Sequence, residues 1–154
     1  MIRFNVNPGS GEKILLTLWI GALWAIGYIA VPLLFGNLDD RQLAGMLAGK
    51  MFTVVSYIGL FCVGVLLLSL FRRTAHIQQE LSFWLLLFML IVIIAGEFII
   101  QPQMAQLKVQ GLKEGSEAAV QFGRLHGIAS VLYMLNSLTG LILVVFHNNK
   151  KHSN

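Results

Sequence analysis

Four long apolar runs govern what this chain can fold into: Ile14–Phe35, Met51–Phe71, Leu81–Ile100 and Leu125–Phe146. Each is about 20 residues, the length a helix needs at roughly 1.5 Å per residue to cross about 30 Å of hydrocarbon. The Leu81–Ile100 run holds Glu97; the other three hold no acidic or basic side chain apart from His126 at one edge. In lipid, segments this long satisfy their own backbone amides and carbonyls only as helices. The expected fold is all-α: a single transmembrane domain over 1–154, built as an antiparallel up-down bundle of four membrane helices. Their expected bounds are about 14–36, 40–71, 81–101 and 117–147.

Composition agrees with that reading. Hydrophobic residues make up 56% of the 154 and charged ones 12%, against about 25% charged in a soluble protein. The net charge of +4 is carried by basic residues standing singly or in pairs at the edges of the apolar runs, as at Arg72-Arg73 and Lys150-Lys151. That is the placement of contacts to lipid headgroups; no basic helix face or aromatic-interleaved strand points to nucleic acid. The expected partner is the bilayer, with a second copy or another membrane protein as the alternative. Cys62, the single cysteine, lies inside an apolar run and reads as a small buried hydrophobe.

The first run is longer than a signal-peptide core and lacks a small-residue cleavage pattern, so it is expected to remain as a membrane helix. Trp19 and Trp24 lie along it, and Pro32 is placed to kink or end it. Asp39, followed by Asp40-Arg41-Gln42, reads as the N-cap of the second helix. Nothing breaks the pattern from there to Phe71, a stretch of about 32 residues or roughly 48 Å. Ser116-Glu117 reads as a second helix start. Helices two and four are therefore expected to tilt, or to project past the bilayer on the same side. Between helices three and four the Gln101–Gly115 connection opens with Pro102, is loosened by Gly111 and Gly115, and has room for a short interfacial helix through Met104, Leu107 and Leu112.

Lysine and arginine set orientation. With four spans, Arg3, Lys13, Arg72, Arg73, Lys150 and Lys151 share the face of the termini. Arg41, Lys50, Lys108, Lys113 and Arg124 share the other. Six against five favours both termini in the cytoplasm.

Alternating spans gather polar residues in the half of the bundle opposite the termini. They are Thr53, Ser56 and Tyr57 from helix two, Glu97 and Gln101 from helix three, and Arg124, His126 and Ser130 from helix four. On helix four, His126, Ser130, Tyr133, Ser137 and Gly140 fall within an arc of about 80°, a stripe suited to helix contact rather than to acyl chains. A packing seam accounts for Ser130, Ser137 and Gly140. Glu97 is the stronger functional pointer, because a carboxylate inside a membrane helix costs a few kcal/mol. It lies three positions before Ile100, about 5 Å inside the apolar end, and is expected to face His126, or to share a water with it, at one membrane level. Gly45 and Gly49, in a small-residue ridge opening helix two, are expected in close helix contact, within the chain or with a second copy. One glutamate and one histidine are too few for a closed zinc site. No phosphate-cradling glycine loop, dinucleotide fingerprint or nucleophile-plus-base arrangement is present, so no cofactor or catalytic residue is indicated.

At these residues the chain resembles a known family, the small four-helix membrane proteins similar to transmembrane protein 205 and catalogued as domain of unknown function 4149. The resemblance is carried by Trp24 with Val31-Pro32-Leu33-Leu34-Phe35, by Ala44-Gly45, Gly49 and Phe52, and by Pro102. Phe122-x-Arg124-Leu125-His126-Gly127-x-x-Ser130, with Asn136 beyond, completes it. The likeness implies a multi-pass protein of a bacterial inner membrane or of eukaryotic endomembranes. It marks Pro32, Gly45, Pro102, Arg124, His126 and Ser130 as motif positions and supplies no enzymatic activity. Three functions follow from residues and resemblance together. The first is ion, metal or small-solute handling through Glu97, His126, Arg124, Ser130, Tyr57 and Gln101. The second is a non-catalytic assembly or packing subunit, and the third, ranked well below, is a membrane enzyme using Glu97 and His126 as acid and base.

Overall fold

Each apolar run forms a helix, and each helix outlasts its run. The computed structural model describes residues 8–73, 80–113 and 115–149, and among them there is no strand. Helix one covers 8–37 as Pro8–Ala25, a π-helical turn Ile26–Ala30 and Val31–Asn37; helix two is Arg41–Arg73. Helix three covers 81–110 as Leu81–Ile94, a π-helical turn Ala95–Ile100 and Gln101–Gln110; helix four is Glu117–Asn149. All four are long and apolar enough to cross a membrane, and the chain is a multi-pass membrane protein. Arg3, Lys150 and Lys151, which weigh in the orientation, lie outside the described residues, as does Glu114.

Helix starts follow local chemistry. Asp40, rather than Asp39, caps helix two: its Oδ1 accepts the backbone N–H groups of Gln42 at 2.8 Å and Leu43 at 3.1 Å. Those are two of the orphan donors that every helix N-terminus leaves. Ser116 Oγ accepts the N–H of Ala119 at 3.2 Å at the start of helix four. Helix three ends at Gly111, whose φ of 88° suits a residue without a Cβ.

Pro32 and Pro102 do not end their helices. A proline removes one helical hydrogen bond, and its ring crowds the carbonyl four residues back. In both places a widened turn takes up the misfit. The N–H of Val31, just before Pro32, reaches back five residues to Ile26, and the N–H of Gln101, just before Pro102, reaches back five to Gly96. Helix one then continues to Asn37 and helix three to Gln110, so Gln101–Gln110 is a continuation of helix three and not a separate interfacial piece. Each interrupted helix is followed by an uninterrupted one of 33 residues.

Helix one packs on helices two and four, and helix three packs on the same two. The core is an apolar cluster that includes Trp19, Ile20, Cys62, Val63, Met89, Ile93 and Leu143. Leu18, Phe61, Trp84, Ile91 and Val131 are exposed on the outside of the bundle, where acyl chains, and not water, meet them. Helices approach closely at Gly27, where an added Cβ would overlap the Tyr133 ring, at Gly140, where it would meet Ile20 and Met89, and at Gly59, where it would meet Trp19 and Ile93. The ridge opening helix two packs differently from the expectation. Ala44 and Ala48 are buried, whereas an added Cβ at Gly49 would meet nothing and one at Gly45 only Phe35, 3.8 Å away. A shift of one residue turns a helix by about 100°, so burying the alanines turns the glycines aside.

Candidate functional site

The polar groups that lie inside the bundle tie helix one to helix four. Ser137, fully buried, donates its single hydroxyl proton to the Met134 carbonyl at 2.8 Å. The Tyr28 hydroxyl, 2.7 Å from Ser137 Oγ, must therefore be the donor in that pair. Trp24 Nε1 donates to the Ser137 carbonyl at 3.2 Å, and the Tyr133 hydroxyl donates to the carbonyl of Leu23. The rings pack on one another: Trp24 and Tyr28 have centroids 4.8 Å apart, and Phe52 meets Tyr133 edge-on at 4.9 Å. Gly27 makes room for the Tyr133 ring. This is an aromatic and hydroxyl seam whose donors find acceptors inside the chain. At the other end of the bundle the Ser69 hydroxyl donates to the Glu12 carboxylate, a contact between helix ends that otherwise read as apolar.

Glu97 stands apart from that seam. It lies in the second π-helical turn and is half-buried. Two contacts fix its level: Met89 of helix three packs at Gly140, and Lys108 Nζ stands 5.5 Å from the centroid of Phe122. Interpolating between them puts Glu97 opposite residues 132–133 of helix four. His126 is six to seven residues nearer the helix start, or roughly 10 Å along the axis. The expectation of a shared level assumed a helix ending at Pro102. Because helix three runs on to Gln110, its junction with helix four moves outward and Glu97 lies deeper.

Asn136 is the buried polar residue about one turn deeper, on the helix three side. Ser137 faces helix one, Gly140 faces both helix one and helix three, and Asn136 is about 100° round from Ser137, beyond Gly140. Asn136 is buried, and its Oδ1 has no hydrogen-bond partner; Trp19 Nε1 is the other such buried atom among the described residues. Pro102, having no N–H, withholds from the backbone carbonyl one turn before it, at Glu97 or Phe98, the amide that an unbroken helix would offer. Glu97, Asn136 and that carbonyl all carry oxygen acceptors, within about a turn of one another along the bundle axis.

The remaining expected site residues lie elsewhere. His126 is exposed and stacked on Phe122, with rings 6.0 Å apart and 7° from parallel, and Ser130 Oγ donates to the His126 carbonyl at 2.8 Å. Arg124 and Tyr57 are exposed and Gln101 is half-buried. Among the described residues no hydrogen bond or ion pair joins Glu97 to His126. The stripe on helix four is thus inward at Tyr133, Ser137 and Gly140 and outward at His126 and Ser130. Sequence reasoning missed Tyr28, whose partner is 109 residues away, and gave Asn136 only as a motif position. An intramembrane asparagine carries the same warning as a carboxylate, and that signal was present.

Residues 14–113 match the model of a family described as Domain of unknown function (DUF4149). The match covers helices one to three and stops before the histidine-containing run of helix four. No curated protein and no solved structure matches the chain.

Proposed function

We propose that this chain, which belongs to the DUF4149 family, handles a small hard cation, H⁺ or Na⁺, at Glu97. The observation that carries the reading is the placement of Glu97: a carboxylate in a π-helical turn, about 10 Å deeper than His126 of helix four. Ionisable groups at such depth are retained where they serve ion pathways, and π-helical turns recur at functional positions. Asn136 Oδ1 and the carbonyl freed by Pro102 supply further oxygen ligands, the donor type that hard cations select. Pairs of proline-interrupted membrane helices in corresponding halves of a chain are also a known setting for ion sites. The pairing of an interrupted with a 33-residue helix, twice over, fits that pattern.

In this reading the four spans alternate, both termini are cytoplasmic and the chain resides in a bacterial inner membrane. The pairings Ile20 with Gly140, and Gly27 with Tyr133, support the alternation of helices one and four. Four helices enclose little space, so passage of an ion across the bilayer would take place in an oligomer, while binding at Glu97 needs one chain.

The test is thermal unfolding of purified protein in sodium, potassium and choline chloride at equal ionic strength, followed by proton uptake in dye-loaded vesicles. Sodium-specific stabilisation, or proton uptake, that disappears in Glu97→Gln and weakens in Asn136→Leu is the expected result. Unfolding indifferent to the cation, with no proton uptake, overturns the proposal. A second reading, an assembly subunit, is favoured by the glycines on outward faces: Gly49, Gly123 and Gly127 have open space where a Cβ would stand. It predicts a defined oligomer whose size changes when those glycines are enlarged.

A further inference from the structure

The ends of helices three and four form a surface of their own, separate from Glu97. Helix three beyond Pro102 alternates buried Met104 and Leu107 with exposed Gln103, Gln106, Lys108 and Gln110. The buried pair packs against the start of helix four, and the polar residues face outward. Lys108 Nζ stands 5.5 Å from the centroid of the Phe122 ring, which also stacks on the imidazole of His126. Arg124, about 200° round helix four from Phe122, is exposed on the opposite side of the hairpin. A cation therefore stands on each side of the hairpin at nearly one height, since Phe122 and Arg124 differ by about 3 Å of rise.

That height is set by the apolar run, which begins at Leu125, the residue after Arg124. A bilayer that covers the run brings its phosphate layer to Arg124 and Lys108. Along the start of helix four the described acidic group is Glu117, which lies about two turns further out and accepts a hydrogen bond from Gln121 Nε2 at 3.2 Å. It does not neutralise either cation at the level of the phosphates. Phe122, about 3 Å outward of Arg124, and His126, about 3 Å inward of it, stack on each other across that level, the place aromatic rings occupy at membrane interfaces.

We propose that this hairpin is a binding surface for anionic phospholipid headgroups, with Lys108 and Arg124 clasping phosphates on its two sides and the stacked Phe122 and His126 rings beside Lys108. The occupant is lipid of the surrounding leaflet, because the cations stand at the boundary of the apolar run, and the attraction is that of ammonium and guanidinium groups for phosphate. The surface needs no enclosed pocket. It fixes the height of helices three and four in the bilayer, and so the depth at which Glu97 lies.

The experiment is native mass spectrometry of the full chain from nanodiscs containing equal phosphatidylglycerol and phosphatidylcholine, counting the lipids retained. The expected result is several-fold preferential retention of phosphatidylglycerol. Lys108→Gln with Arg124→Gln should reduce that preference at least threefold, and Lys108→Arg with Arg124→Lys should keep it. Both double variants change exposed side chains, and circular dichroism checks that each is folded. Equal retention of the two lipids by the native chain, or an unchanged preference in the glutamine double variant, overturns the proposal. So does a loss as large in the charge-preserving pair, because the contact would then not be one of charge.

Discussion

Placing a carboxylate roughly a third of the way into a bilayer costs a few kcal/mol, and Glu97 bears that cost with no ion pair among the described residues. Sites kept for function commonly lower stability. Glu97→Gln is therefore expected to raise stability in cation-free buffer by about 1–2 kcal/mol while abolishing any response to sodium, read by thermal unfolding in detergent. The seam residues behave in the opposite sense. Tyr28→Phe removes the donor to Ser137, and interhelical hydrogen bonds in membranes average about 0.6 kcal/mol. A small but measurable loss is expected, and Ser137→Ala with Tyr28→Phe should cost little more than either alone, because the two share one bond. Fully additive losses in that cycle would show that the hydroxyls act through other partners.

Between elements, the glycines separate into two kinds. Gly27 and Gly140 stand where helix one meets helix four, so Gly27→Val must displace the Tyr133 ring and is expected to cost about 1–3 kcal/mol, as overpacking does. Gly45 and Gly49 have space around them within the chain. Gly45→Leu with Gly49→Leu should leave monomer stability within about 0.5 kcal/mol, and a change in oligomer size by light scattering would locate an interface on that face. The prolines belong to this scale too. Pro102→Ala restores an amide and removes the ring clash, letting the widened turn close to an ordinary α turn. Closing it turns every later residue of helix three by about 100°. Lys108 then leaves Phe122, and a cross-link between cysteines placed at 108 and 122 should be lost.

For the molecule as a whole, reporter fusions in the segments 37–48 and 74–79 and after residue 150 should read outside, inside and inside. An inverted pattern would reverse the orientation, and a pattern that fails to alternate would remove the four-span arrangement. The number of helices was legible from the chain alone because a bilayer reads only length and apolarity, and Ile14–Phe35 or Leu81–Ile100 carries both in one dimension. Glu97 was legible for the same reason, as a charge interrupting such a run. Where helix three ends was not, because whether Pro102 stops a helix depends on what the preceding turn and the neighbouring helix four can accommodate. From that single decision came the depth of Glu97, the outward placement of His126 and the approach of Lys108 to Phe122. The pairing of Tyr28 with Ser137, and the burial of Ala44 and Ala48 in place of Gly45 and Gly49, were likewise decided by rotation of one helix against another. Composition fixes that a helix lies in the membrane; its angle about its own axis is set only by the side chains it meets.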